Sequence, residues 1–256
     1  MVKCNVITVD ALNLSGHPQA ICFINPKHPS YPLKVEWLKR RFSEGLVIKL
    51  LYLEGEKRPA GFIEYVPGDQ CWRAVTAPGY LFIHCVWVNA VKHKNKGLGS
   101  MLLEACMADA VAGNYNGVAV VTSSGSFMAD KSLFLKNGFK EVATDLTHDL
   151  LVKQLKNAPL PFFNNWRTAL KEFRGLHMIY SPQCPWVARF VSEVRESLAK
   201  LGVAVTVTEL KTPQQARMAP SPYAVFNLVR DGRLLADHYI SETRLMNILR
   251  KEKLVI

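Results

Sequence analysis

The apolar positions of this chain fall into short blocks whose period changes along its length. Val6–Val9 is a brief apolar run, and Leu33, Trp37, Leu38 and Phe42 recur near helical spacing across residues 33–43. Residues 46–53 and 60–66 read as two strands joined by G-E-K-R-P, whose turn residues suit a hairpin. Residues 67–79 form a longer excursion. Leu81–Val88 is then apolar except for His84 and rich in β-branched and aromatic types, which suits a buried strand. From Met101 onward, Leu102, Leu103, Cys106 and Ala110 keep helical spacing, with Glu104 and Asp109 expected on the outer face. A second buried strand follows over 117–122, then a short helix over 130–136 that ends at the C-cap pair Asn137-Gly138. Residues 139–142 and 148–153 complete this half as strands.

Residues 157–165 (N-A-P-L-P-F-F-N-N) have the composition of a linker, and 166–173 that of a helical connector. The pattern then restarts. A strand over 175–180 leads through S-P-Q-C-P-W into a helix with Val187, Phe190, Val191, Val194, Leu198 and Leu201 along one side. Strands over 203–210, 223–229 and 234–240 follow, with Asp231-Gly232 as a hairpin turn between the last two. A short helix over 212–217 and a final one over 241–249 complete the order β-α-β-α-β-β-α.

With 256 residues, 49% of them apolar and 21% charged, the chain is long enough for two packed units of ordinary globular character. No apolar run reaches the roughly 18 residues of a membrane span. The first residues lack a secretory apolar region, so the expectation is a cytoplasmic protein without membrane contact. Six scattered cysteines show no C-x-x-C pair, which favours reduced thiols over a disulfide framework or a metal site. The net charge of +11 favours anionic partners. The basic residues are spread along the chain and carry no nucleic-acid-binding signature, which disfavours nucleic acid as the partner.

The chemistry starts at the turn between the Leu81–Val88 strand and the Met101 helix. Gly97 and Gly99 bare the backbone there, and Lys92, Lys94 and Lys96 stand beside the positive end of the helix. Such a turn binds phosphate. Its spacing is neither G-x-G-x-x-G nor G-x-x-x-x-G-K-[ST]. Lys94-Asn95-Lys96-Gly97-Leu98-Gly99 instead resembles [R/Q]-x-x-G-x-[G/A], the pyrophosphate turn of the GNAT (Gcn5-related) N-acetyltransferases, with Lys in the first place. Further along, L-F-L-K-N-G-F-K-E-V (Leu133–Val142) is similar to that family's closing F-Y-x-K-x-G-F signature.

The resemblance implies an α/β GNAT acyl-CoA N-acyltransferase fold over residues 1–155, a mixed sheet flanked by helices. It implies acetyl-CoA as co-substrate, no metal, and a primary amine that attacks the thioester directly. The coenzyme is then expected at Lys94, Asn95, Lys96, Gly97, Leu98, Gly99 and Ser100, and along the backbone of Val86, Trp87 and Val88. Ser132 and Phe134 on the short helix join that set, with Ser123 and Ser124 facing the arm. The same resemblance places a base on the central strand, and His84 is its titratable residue. The alternative for His84 is a hydrogen-bonded core histidine, and Glu64 and His93 are further candidates. Phe134 departs from the family, whose tyrosine at this point protonates the leaving thiolate; Tyr115, Ser132 or water is left for that task. Residues 156–174 then serve as a linker, and 175–256 resemble the thioredoxin-like tail of YoaP-like acetyltransferases, with Cys184-Pro185 at a helix start and Pro222 where such folds carry a cis-proline. Cys184 at a helix N-terminus is either a reactive monothiol whose thiolate the dipole favours, or a structural residue. A thiol-transfer protein built on Cys184 and a non-catalytic acyl-CoA sensor are the rival readings. The acceptor, the acyl length and the oligomeric state, a homodimer included, stay open.

Overall fold

The structure, a computed structural model, describes residues 3–20, 22–89, 93, 96–125 and 128–255. Its centre is a seven-stranded sheet built from β1 (Cys4–Val9), β2 (Val47–Leu53), β3 (Gly61–Pro67), β5 (Leu81–Val88), β6 (Gly117–Ser123), β7 (Lys140–Asp145) and β8 (His148–Gln154). The spatial order is β1-β2-β3-β5-β6-β8-β7. All neighbours pair antiparallel except β5 and β6, which are parallel. The connection between those two is helix α2 (Leu98–Ala112), the crossover that a parallel pair requires.

Each face of this sheet buries its own core. On one side Ile63, Tyr65, Ile83 and Leu151 meet Leu102 and Leu103 of α2 and Phe134 of α3 (Lys131–Lys136). Asp109 of α2, expected to face outward, is instead drawn down: it accepts from Lys49 Nζ at 2.6 Å and from the Tyr65 hydroxyl at 2.5 Å. On the other side Ile48, Leu50, Phe62, Phe82 and Leu150 pack with Trp37 and Leu38 of α1 (Tyr31–Phe42). That second core continues without a break into residues from the C-terminal part of the chain, among them Ile179, Leu210, Ala224 and Val229.

The C-terminal part has a four-stranded sheet of β10 (Leu176–Tyr180), β11 (Thr206–Glu209), β12 (Phe226–Arg230) and β13 (Arg233–Ala236), ordered β11-β10-β12-β13. Ile179 and Val229 on one face look into the shared core. Met178 and Leu228 on the other pack against α5 (Pro185–Lys200) and α7 (Glu242–Lys251). The strand expected over 223–229 starts only at Phe226, because Ala224 adopts φ +65° and breaks the extended run. No peptide bond among the described residues is cis, so Pro222 is trans. Its carbonyl accepts from Ala74 N–H of the first unit.

The segment expected to be a linker is tied down. Phe162–Phe163 (β9) pairs antiparallel with Val75–Thr76 (β4). Trp166 Nε1 donates to Asp145 Oδ2, and Arg167 takes both oxygens of the same carboxylate. Residues 156–174 are therefore fastened to the first unit, and Asn164 Nδ2 donates to Arg217 O of the C-terminal part.

Candidate functional site

The site begins where two strands part. The β5–β6 pairing covers only Leu81↔Val118, Phe82↔Ala119 and Ile83↔Val120, although the strands run on to Val88 and Ser123. On its other edge β5 pairs Glu64↔Cys85 and Tyr65↔Ile83, which leaves His84 without a partner on β3. This is a β-bulge, and bulges bend the strand that carries them and re-aim its side chains. Beyond Ile83 the edge of β5 toward β6 is thus open. Val86 is buried, Val88 half-buried, and Trp87 lies 44% exposed with its ring 4.7 Å from that of Phe23.

Helix α2 starts beside this opening. Gly97 caps it at φ +76°, and Met101 N–H makes the first helical bond back to Gly97 O. The N–H groups of Leu98, Gly99 and Ser100 are therefore the free donors of the first turn, which holds no acidic residue. The two glycines are needed for different reasons. A Cβ on Gly97 would meet nothing within 4 Å, so only its left-handed conformation demands glycine. A Cβ on Gly99 would come within 2.9 Å of Leu133 Cδ1, so there the demand is the close approach of α3. Lys96 is exposed next to this end. Lys92, Lys94 and Asn95 lie outside the described residues. Ser100 Oγ accepts from Asn137 Nδ2 at 3.0 Å, which ties α2 to the cap of α3.

At the far end of β6 a cavity of about 590 Å³ is lined by Ser123, Ser124, Asp130, Ser132, Thr147 and Asp149. It gathers the three serines expected along the coenzyme. Phe134 is not among them. It is fully buried, edge-on to Phe139 at 5.4 Å, because the helical turn that exposes Ser132 turns Phe134 inward under α2. The expectation that Phe134 lines the coenzyme is corrected by that packing.

The catalytic expectations change more. His84 is buried, and its Nε2 accepts the Trp72 N–H at 3.0 Å. Its Nδ1 stands 3.3 Å from Glu64 Oε1, misaligned for a full hydrogen bond. Burial lowers its pKa to about 4, and the Glu64 carboxylate only partly offsets that. The ring is neutral, with its one lone pair already used. A general base needs that lone pair free, so His84 is a hydrogen-bonded core histidine in this arrangement. Glu64 is also spoken for. Lys34 Nζ meets its Oε2 at 2.7 Å, with both side chains 1% exposed, and Gln183 Nε2 donates to its Oε1 at 3.1 Å. Burial alone would raise this carboxyl; Lys34 and His84 outweigh it and bring the pKa down to about 2. A carboxylate held so firmly ionised is a weak base. His93 is buried facing Glu56, 3.5 Å away.

Cys184 caps α5 as expected, but its thiolate is not favoured. Burial raises the thiol's pKa, and the backbone N–H groups of Val187 and Trp186 do not make up the difference. Its neighbours Cys22 and Cys85 are pushed up as well, Cys85 to about 12, again chiefly by burial. Among the described residues, no group of His, Cys, Asp and Glu is arranged to hold a metal ion.

Five side chains important to this region, Arg73, Gln183, His148, Tyr223 and Asp237, escaped the sequence reading. Arg73 is 1% exposed and donates to Trp72 O, His84 O and Gln183 Oε1, with its guanidinium 4.3 Å over the Tyr223 ring. Gln183 thereby bridges Arg73 and Glu64, so the C-terminal unit reaches into the polar heart of the first one. His148 stacks on the other side of this assembly against Tyr223, and its Nδ1 lies 3.6 Å from Asp237 Oδ2. Only the position of Arg73 directly after Cys71-Trp72 in the excursion over 67–79 could have drawn attention beforehand.

The chain is similar in sequence and in fold to known proteins. Residues 18–139 match the profile of the Acetyltransferase (GNAT) family. The uncharacterized N-acetyltransferase YoaP of Bacillus subtilis strain 168 is 29% identical over 222 residues, covering 84% of this chain and 86% of that one. A GNAT-family acetyltransferase from Staphylococcus aureus Mu50 is similar in structure over 60% of this chain and 100% of its own, at TM-score 0.43 and 16% identity. The NAA60 of Arabidopsis thaliana, solved with acetyl-CoA, is similar over 60% of this chain and 99% of its own, at TM-score 0.43 and 12% identity. The match over residues 18–139 and the YoaP likeness that runs on into the C-terminal part make the chain similar to GNAT-type N-acetyltransferases.

Proposed function

We propose that the chain transfers an acetyl group from acetyl-CoA to a primary amine held between its two units. The observation that carries this reading is the parting of β5 from β6 directly before the glycine-capped start of α2. A pyrophosphate fits the free N–H groups of Leu98, Gly99 and Ser100, with Lys96 adding charge. The pantetheine arm then runs along Val86, Trp87 and Val88, whose open edge offers backbone groups to it and to the thioester carbonyl. The amine attacks that carbonyl directly, with no covalent enzyme intermediate. The C-terminal unit covers the face of the sheet that carries His84 and Glu64, which supports its having a part in acceptor selection. Its element order, β-α-β-α-β-β-α, supports a thioredoxin-like origin. The protonated thiol of Cys184 supports a structural use of that fold over thiol redox chemistry.

Titration calorimetry with acetyl-CoA tests the coenzyme site, run on the wild type and on a Gly97→Glu, Gly99→Glu double variant. Binding by the wild type and its loss in a folded double variant are expected, because two carboxylates beside the backbone donors repel and crowd out the anion. A double variant that binds as well as the wild type would move the coenzyme elsewhere. Acetylated products from a panel of a polyamine, an aminoglycoside and a lysyl peptide, read by mass spectrometry, then define the acceptor class.

A further inference from the structure

We propose that His148, oriented by Asp237 of the C-terminal unit, is the group that takes the proton from the attacking amine. The assignment rests on the acetyl-transfer reading above and adds the base that His84 and Glu64 do not supply.

His148 opens β8 and pairs with Ser123, the last residue of β6. It therefore lies beyond the last β5–β6 pair, at the level where the strands have parted. Val121 pairs with Leu150 two positions away, so His148 shares the face of the sheet that the C-terminal unit covers. Ser123, its partner on β6, lines the cavity at the end of that strand, while Asp149, also in that lining, points to the opposite face of β8. The His148 side chain is fully buried, yet neither ring nitrogen has a hydrogen-bond partner among the described residues. An unsatisfied buried polar atom is costly, so a ring with two of them suits a group that meets its partner only when substrate arrives.

Its surroundings hold the ring in place without using it up. Tyr223 stacks on it with centroids 5.8 Å apart and planes 15° from parallel, and Arg73 lies 4.3 Å over the tyrosine. Asp237 Oδ2 is 3.6 Å from Nδ1, while Asp237 Oδ1 is 2.7 Å from Nδ1 of His238. A base with an orienting carboxylate behind it is the arrangement proton transfer needs, and such contacts are commonly long before substrate binds. The charged and titratable groups that bear on His148 are Asp237 and His238 before α7, Arg73 before β4 and Asp145 at the end of β7, with Tyr223 stacked on the ring. Burial lowers its pKa and Asp237 opposes that, so the neutral ring carries a free lone pair at neutral pH.

In the step itself, His148 accepts one proton from the ammonium form of the acceptor. The freed nitrogen lone pair forms the C–N bond at the thioester carbonyl, and the C–S bond breaks as the tetrahedral intermediate collapses. Two protons leave the nitrogen in all: one ends on the coenzyme A thiolate, and the other passes through His148 to solvent. The thiol product then needs no tyrosine at the place of Phe134.

The test compares the wild type with His148→Gln and Asp237→Asn. Calorimetry measures acetyl-CoA binding, and chromatography measures thioester cleavage with the best amine of the panel above, or with water if none reacts. His148→Gln should bind acetyl-CoA as the wild type does and cleave it about 10²- to 10⁴-fold more slowly. Asp237→Asn should slow cleavage less and move the acid limb of kcat/KM to lower pH, because the ring loses the charge that stabilises its protonated form. If His148→Gln does not fold, the acid limb of Asp237→Asn decides alone. Wild-type cleavage rates in His148→Gln, an unmoved acid limb in Asp237→Asn, or a wild type that binds acetyl-CoA without cleaving it would each overturn the assignment. Failure of the wild type to bind acetyl-CoA would be a different result, removing the coenzyme reading on which the assignment stands.

Discussion

Two histidines flank the parted strands, and they have been treated in opposite ways. His84, on β5, has its lone pair filled by Trp72 N–H and its other nitrogen turned toward an ionised Glu64. His148, on β8, is at least as deeply buried and has no hydrogen bond at either nitrogen among the described residues. Burial depth is therefore a poor guide to which group does chemistry. What separates the two is whether the surrounding donors and acceptors already balance. Around His84 they nearly do: its lone pair is filled and Lys34, Glu64, Gln183 and Arg73 form a linked polar set, with only N–H groups such as His84 Nδ1 and Arg73 Nε left without a hydrogen bond among the described residues. Around His148 they do not, and the nearest carboxylate comes from the other unit at 3.6 Å.

The sharpest way to break the balanced side is to remove one of its charges. Lys34→Met leaves the Glu64 carboxylate buried without its cation, and a loss of about 3–5 kcal/mol in urea unfolding is expected. Glu64→Gln in the same background should recover much of it; failure to do so would mean that Lys34 acts through packing on Trp37 instead, whose ring lies 4.0 Å from its ammonium. The sign with pH follows from the carboxyl's position. Its folded pKa of about 2 is below the ordinary 4.5. The Glu64 contribution is thus complete above pH 4.5 in the wild type and disappears as pH falls toward 2, and Lys34→Met should show a shallower loss in that window.

The two histidines can also be separated by acid titration of stability. His84 drops from 6.5 to about 4 on folding, so the unfolded chain binds the extra proton. Stability is full above pH 6.5 and declines as pH falls toward 4, by at most about 1.4 kcal/mol per pH unit from this one group. His84→Gln, which can still accept from Trp72 N–H, should flatten that decline while leaving acetyl-CoA cleavage largely in place. His148→Gln should flatten it too, since burial lowers that group in the same direction, but at the expense of cleavage. Equal effects of both variants on cleavage would erase the distinction between them.

A smaller effect is expected where the balanced side reaches the C-terminal unit. Gln183→Ala removes one acceptor from Arg73 and one donor from Glu64, both buried, and a loss of about 1–3 kcal/mol in thermal or urea unfolding should follow. A change near zero would show that the two units are held by their shared apolar core alone.

Much of the architecture was legible in the residues because it is local. Strand and helix periods around Leu81–Val88 and Leu98–Ala112, the glycine turn, and the Asn137-Gly138 cap each depend on residues close in sequence. The site was legible only on its coenzyme side, for the same reason. Its acceptor side is made of long-range encounters. Nothing near His148 announces Asp237, and nothing near Arg73 announces Gln183 or Tyr223. The bulge that aims His84 toward Trp72 is a property of the β3–β5 register, which alternation along β5 alone does not reveal. The supposed linker shows the same limit, since Asp145 gives Trp166 and Arg167 their meaning.

The smallest expected effect concerns Cys184, whose place at a helix start suggests reactivity that its surroundings withhold. The thiol is half-buried at the start of α5, and burial raises its pKa. The helix N-terminus and Lys34 pull the other way, and Glu64 adds to the rise. Because the thiolate is the nucleophile, iodoacetamide at pH 7 should label Cys184 more slowly than free cysteine. Cys184→Ser should shift stability by under about 1 kcal/mol, a change in a cap that makes no side-chain bond. Lys34→Met, which takes away a cation that opposes that rise, should slow the labelling further in protein that remains folded. Labelling of the wild type faster than free cysteine would reverse the comparison, making the C-terminal unit a reactive partner of the acetyl-transfer site, where the balanced polar set makes it a structural one.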